Sequence, residues 1–151
     1  MCGTVEDPLL LPQPFEEISH TADIALRVSG RTREETSSRL VLALGSLLGG
    51  GAAGPLAEEI RITAEPAEAA LMAIDVLREL LFLFSTRGLM PIRCGTSRFD
   101  EQEGAEVVVG MCAYEESLHG GGTDVKAITF HQARFEQTEG RAWMAQAVLD
   151  I

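Results

Sequence analysis

Positive charge is what this chain has least of. Its 151 residues hold 12 lysines and arginines against 23 aspartates and glutamates, a formal net charge of -11. Nucleic-acid affinity is led by basic side chains on phosphates, so strong direct binding to nucleic acid or to an anionic membrane is excluded. An acidic surface instead suits a cation or a basic protein partner. Aromatic residues make up only 5% of the chain, so the core is expected to be aliphatic. Cysteine is scarce and odd in number, with Cys2, Cys94 and Cys112 in no Cys-x-x-Cys spacing. They read as reduced thiols of a cytoplasmic protein rather than a disulfide, metal or redox set. Long apolar runs are missing as well. The stretch from Leu40 to Leu48 dissolves into glycine, well short of the roughly 20 residues a membrane helix needs. Glu6 and Asp7 stand where a signal peptide would carry basic residues, so no such leader is expected.

Catalytic signatures are equally sparse. Gly49-Gly50-Gly51 lacks the Lys-Ser or Lys-Thr of a phosphate-binding loop, and Gly120-Gly121-Gly122 is not followed by a helix. The latter run is the expected mobile loop. There is no Gly-x-Ser-x-Gly, no Cys-His pair and no triad to propose. One scarcity is informative in the other direction: Lys126 is the sole lysine beside 11 arginines. A compact ammonium does not substitute for a planar guanidinium, which draws attention to that position.

What is present reads as one domain over residues 14–151, preceded by a frayed lead over 1–13 that contains two prolines. Strands are expected around Phe15–Ile18 and Ile24–Val28, the second with Ile24, Leu26 and Val28 on one face and Asp23, Ala25 and Arg27 on the other. Thr32 followed by Glu35 is a capping box, so a helix should begin there, carry Leu40, Val41, Leu44, Leu47 and Leu48, and stop at the glycine run. A strand over Ala57–Ala64 precedes a second helix, with Pro66 in its first turn. Leu71, Ile74, Leu77, Leu80, Leu81 and Phe84 make that helix apolar on more than one face, which marks it as the central one. Gly88 should end it. Short strands then follow at Met90–Arg93, Ala105–Tyr114, Val125–Phe135 and Ala142–Ile151, with no further helix. This order predicts an α+β fold, two helices packed on one face of a mostly antiparallel β-sheet.

If the first and last of these strands are neighbours, Asp23 and Asp150 converge. The main-chain carboxylate or carbonyl of Ile151 adds an oxygen. Such an all-oxygen set suits Ca²⁺, or Mg²⁺ with retained waters, better than zinc. Two exposed strand-end aspartates are the simpler alternative. His20 lies three residues before Asp23 and reads either as a ligand or as an ordinary turn histidine. His131 is expected to be half-buried and hydrogen-bonded, and His119 to be plain loop. Lys126 either is solvated or faces the two aspartates. Glu79, inside the apolar second helix, must reach its exposed edge or pair with Arg78 or Arg39, because an unpaired buried carboxylate is costly.

Ile18-Ser19-His20-Thr21-Ala22-Asp23-Ile24-Ala25-Leu26-Arg27, with Gly30-Arg31-Thr32 after it, resembles the opening signature of the archeases. Leu77-Arg78-Glu79-Leu80-Leu81-Phe82-Leu83-Phe84 is similar to their central helix. Val125 to His131 resembles their late strand, and Trp143 to Ile151 their last. The resemblance runs in order from Phe15 to Ile151. It departs at Arg78, Phe82 and Ser85, where the family commonly has Asn, Tyr and an acidic residue. It implies a non-enzymatic cytoplasmic factor that activates a GTP-dependent RNA ligase in tRNA splicing or RNA repair, promoting guanylylation and multiple turnover. It further implies a metal site, with calcium foremost and Mg²⁺ or Mn²⁺ as alternatives, at Asp23, Asp150 and Ile151, and a role in activation for Lys126. Two other readings are a metal-dependent phosphoester hydrolase using Asp23, Asp150 and His20 or His131, and a general chaperone or adaptor.

Overall fold

A computed structural model describes residues 8–151. Cys2 and the rest of residues 1–7 lie outside it. The elements are β1 (Leu9–Leu10), β2 (Glu16–Ser19), β3 (Asp23–Gly30), α1 (Arg33–Gly49), β4 (Leu56–Ala64), α2 (Ala69–Arg87), β5 (Leu89–Asp100), β6 (Gly104–Ala113), α3 (Glu116–His119), β7 (Ala127–Gln137) and β8 (Trp143–Asp150). The α+β class and the antiparallel pairing are as expected. The strands, however, divide into two four-stranded sheets, ordered β1-β5-β6-β4 and β2-β3-β8-β7. Both helices pack on both sheets, α1 on β5, β3 and β8, and α2 on β7, β5 and β4. A single sheet covers one face of a helix, and these helices have more than one apolar face to cover. Two sheets solve that problem.

Local sequence decides most boundaries. The Thr32 hydroxyl accepts the Glu35 N–H at 3.0 Å, while the Glu35 carboxylate accepts the N–H of Arg31 at 2.8 Å. Two donors at the helix start are thereby satisfied. Gly50 and Gly88 close α1 and α2 in the left-handed conformation, at φ 68° and 64°, where a Cβ would be strained. The start of α2 differs from expectation. Pro66 stands ahead of the helix, Glu68 is the cap residue without a side-chain bond, and the Ala69 N–H is instead met by the Glu101 carboxylate at 2.7 Å. That acid comes from the β5–β6 turn, which is a tertiary choice that no window around Pro66 could reveal.

The central helix is α1 rather than α2. From Leu40 to Gly49 every α1 residue is buried, Leu42 and Leu44 completely. Its small residues make this possible: a Cβ at Gly45 would meet the Pro91 carbonyl, and one at Gly49 the Met90 side chain. By contrast α2 keeps an outer face, with Asp75, Arg78, Glu79 and Phe82 exposed. Phe99 of β5 and Phe135 of β7 stack at 4.6 Å and tie one sheet to the other. The lead is partly structured too. Leu9–Leu10 pair with Cys94 and Arg93 of β5, and the Leu11 N–H bonds the Ile92 carbonyl at 3.0 Å. No helix is long and apolar enough to cross a membrane among the described residues.

Candidate functional site

The ladder between β3 and β8 joins the front of the chain to its back, and its last rung sets Asp23 directly opposite Asp150. The burial alternation of β3 points Ile24, Leu26 and Val28 inward, so Asp23 falls on the outer face, half-buried. Asp150 is exposed and has Ala127 of β7 on its other side. Three main-chain bonds hold this strand end. The His20 N–H donates to the Asp23 carbonyl at 2.9 Å, the Ile151 N–H to the Ala22 carbonyl at 3.1 Å, and the Lys126 N–H to the Asp150 carbonyl at 2.8 Å. Neither carboxylate has an ion pair or a hydrogen-bond donor among the described residues. Opposed residues in an antiparallel ladder have Cα atoms about 4.5–5.5 Å apart, and like charges so placed repel.

Whether these residues fit a divalent cation is a question of donor chemistry. Among the described residues no group of three or more His, Cys, Asp and Glu side chains gathers. A cation here would therefore take two carboxylates, a main-chain oxygen of Ile151 and water. That hard-oxygen set fits Ca²⁺, or a partly hydrated Mg²⁺, and does not fit zinc. His20 is exposed and is not drawn into a three-ligand cluster with the aspartates. Lys126 is anchored beside Asp150 through its backbone. Its exposed ammonium makes no ion pair within 4.0 Å among the described residues.

Two histidine expectations fail. His131 is exposed, because β7 bulges between Thr129 and Arg134 and turns it off the ladder. His119 is no loop residue. It is fully buried in the short helix α3, its Nδ1 accepts the Glu115 N–H at 2.9 Å, and its Nε2 has no partner among the described residues. The glycine run after it meets the end of α1, with the Thr123 N–H on the Leu47 carbonyl at 2.8 Å. Glu79 reaches the exposed edge of α2 and pairs with neither Arg78 nor Arg39.

Sequence reasoning missed the arch that flanks the site. In the β7 bulge Gln132 takes φ 57°, and its carbonyl accepts the Gln146 amide at 2.9 Å. Arg27 in turn donates to the Gln146 oxygen from Nε at 3.0 Å and Nη2 at 2.7 Å. Gln146 is buried, on the same strand face as Asp150. A polar residue between Ala145 and Ala147 was the available signal.

Fold and site together define a two-sheet α+β protein with an acidic strand end. The model of the Archease protein family (MTH1598/TM1083) matches residues 15–151, and the chain belongs to that family. It is 33% identical over 140 residues to a protein archease of Methanopyrus kandleri, covering 91% of this chain and 99% of that one. A Methanosarcina acetivorans protein archease is also 33% identical, over 143 residues, covering 91% and 95%. Among solved structures, protein 1598 of Methanobacterium thermoautotrophicum superposes with a TM-score of 0.69 at 24% identity, covering 91% of this chain and 98% of that one. An archease of Thermotoga maritima, described as a possible chaperone, gives 0.55 at 25% identity, covering 93% and 98%.

Proposed function

We propose that this protein is a non-enzymatic, metal-binding cofactor of a GTP-dependent RNA ligase, which it activates in the cytoplasm during tRNA splicing or RNA repair. One observation carries the reading: Asp23 and Asp150 are direct ladder partners, and neither carboxylate has an ion pair or a hydrogen-bond donor among the described residues. Like charges directly opposite one another in a ladder destabilise it, and the positive charge of a bound cation removes that cost. A bound Ca²⁺ would supply that charge and leave coordination positions for oxygens from outside the chain. In this reading Asp23 and Asp150 hold the ion and Ile151 adds a main-chain oxygen, which the Ala22–Ile151 bond supports, while Lys126, whose N–H bonds the Asp150 carbonyl, acts on the partner. A ligase active site that handles GTP and RNA phosphates is basic, so an acidic end with a net charge of -11 behind it is the complementary face. The free, buried Cys94 and Cys112 suit a reducing compartment.

The test is RNA joining with the cognate ligase at substoichiometric amount, GTP and broken RNA, with and without this chain. Multiple turnovers are expected only with it. Asp23→Ala and Asp150→Ala should each abolish the gain, and Lys126→Ala should reduce it while leaving calcium binding intact. Ligase turnover that ignores the added chain, or survives both aspartate changes, sinks the reading. Hydrolysis of a generic phosphoester by the chain with Mg²⁺ or Mn²⁺ alone would replace it with a hydrolase.

A further inference from the structure

Two open sheets have four edges, and three of them are blunted. β1 is two residues long and β2 four. β7 is broken by its bulge, and α2 covers part of it, the Arg78 Nε donating to the Ile128 carbonyl at 2.9 Å. The fourth edge is β4. It runs nine residues, with one register shift at its very start, between Leu56 and Glu58. Among the described residues no hydrogen bond outside its ladder with β6 reaches the backbone of Leu56–Ala64. Such an edge is a template for another strand unless it is covered.

Beside it lies a groove of about 780 Å³ between β4 and α2. Ile60, Ile62 and Leu83 line it, and Phe82 stands over it, 59% exposed. The fork from Arg87 to Glu58, at 2.6 and 3.3 Å, closes one end. The remaining stretch, Glu59–Ala64, matches an extended segment of about 20 Å. The charges are uneven. Arg61 is paired across the outer face with Glu106, and Arg78 is turned to the Ile128 carbonyl. Glu65, Asp75 and Glu79 line the groove and have no ion pair among the described residues.

We infer that the β4 edge and this groove dock an extended segment of a partner protein, which adds as a fifth strand to the first sheet. Side chains on alternate residues of that segment enter the groove, a large apolar one against Phe82 and Lys or Arg against Glu79 and Asp75. Main-chain bonds along the edge supply affinity, and these pockets supply selection. A second copy of this chain is the wrong occupant. It would bring two sets of unpaired acids together, on molecules each carrying a net charge of -11. The surface is separate from the Asp23–Asp150 end, which belongs to the other sheet.

The probe is a fluorescein-labelled threonine-rich peptide of eight residues with Leu, Lys and Lys at alternate positions, titrated with the full chain by anisotropy. Saturable binding is expected, with amides of Glu59–Ala64 and of α2 shifting in nitrogen-15 NMR spectra. The double variant Asp75→Lys/Glu79→Lys should weaken it at least tenfold, and Phe82→Ala several-fold. All three residues are exposed, so the fold survives, which circular dichroism verifies. A same-charge peptide with proline at its centre should also lose binding, because proline interrupts the ladder. Absence of saturation at millimolar peptide overturns the inference. So does equal binding of the proline peptide, or shifts confined to Asp23 and Asp150. Dimerisation through β4, abolished by Ile60→Lys in sedimentation, would replace the partner segment with a second copy.

Discussion

The outer faces of the two sheets carry similar charged residues and differ at one end, where two acids of the second sheet stay unpaired. On the first sheet Arg61 meets Glu106 at 3.0 Å and Arg93 meets Glu59 at 3.3 Å, while the Ser97 hydroxyl donates to Glu106 at 2.6 Å. Each acid there has a partner. On the second sheet Arg134 meets Glu136 at 2.7 Å, but Arg27 is spent on Gln146, and Asp23 and Asp150 are left facing one another. The helices behind both sheets are the same, so the core does not account for the difference. It lies in which charges the strand register brings together. Paired charges on a surface add little stability and no specificity, whereas an unpaired, opposed pair keeps an attraction for something outside the chain.

That comparison presumes one shared core, and the largest expected effect tests the presumption. Phe99 is 1% exposed and stacks on Phe135 from the other sheet. Phe99→Ala should cost about 3–5 kcal/mol in urea unfolding, in the range of large core truncations. Amide exchange should rise in both sheets together. If protection fell only in β5 and β6, the sheets would be separate stability units and their faces could not be compared on equal terms.

The parts of this arrangement that were legible in the sequence are those governed by short-range rules. The alternation of Ile24, Leu26 and Val28 assigned Asp23 to the outer face, the Thr32–Glu35 spacing located α1, and Gly50 and Gly88 ended the helices. Neighbouring first and last strands then sufficed to bring Asp23 to Asp150. Long-range contacts decided the rest. Glu101 starts α2 from another turn, the Gln146 side chain holds the Gln132 bulge that turns His131 outward, and His119 is buried against Gly49 and Gly54 of distant segments. One sheet became two because α1 is covered on every side, its small Ser37, Ser38, Gly45 and Gly49 buried along with the apolar stripe that the spacing revealed.

A medium effect sharpens the contrast at the acidic end. Asp150→Asn removes one of two repelling charges, so the metal-free protein should melt slightly higher, by the equivalent of a few tenths of a kcal/mol. The gain is small because Asp150 is exposed and salt screens the repulsion. Millimolar calcium should raise the melting temperature of the unaltered chain through ligand linkage and leave that of Asp150→Asn unmoved. An equal calcium shift in both would mean that the opposed aspartates are not the binding site.

The smallest effect belongs to the paired face. The Ser97 hydroxyl first, and then Arg61, hold the Glu106 carboxyl below the usual carboxylate range. A group whose pKa is lower folded than unfolded stabilises the fold above its unfolded pKa, about 4.3 for Glu. That contribution is lost as pH falls through the folded value. Arg61 is 62% exposed, so screening keeps the whole effect under about 1 kcal/mol. Glu106→Gln should therefore unfold at lower urea than the unaltered chain at pH 6. The gap should close between about pH 4.3 and the lower folded pKa. A gap that stayed constant down to pH 3 would show that Glu106 acts by packing and not by charge, and the first sheet would no longer serve as the paired counterpart of Asp23 and Asp150.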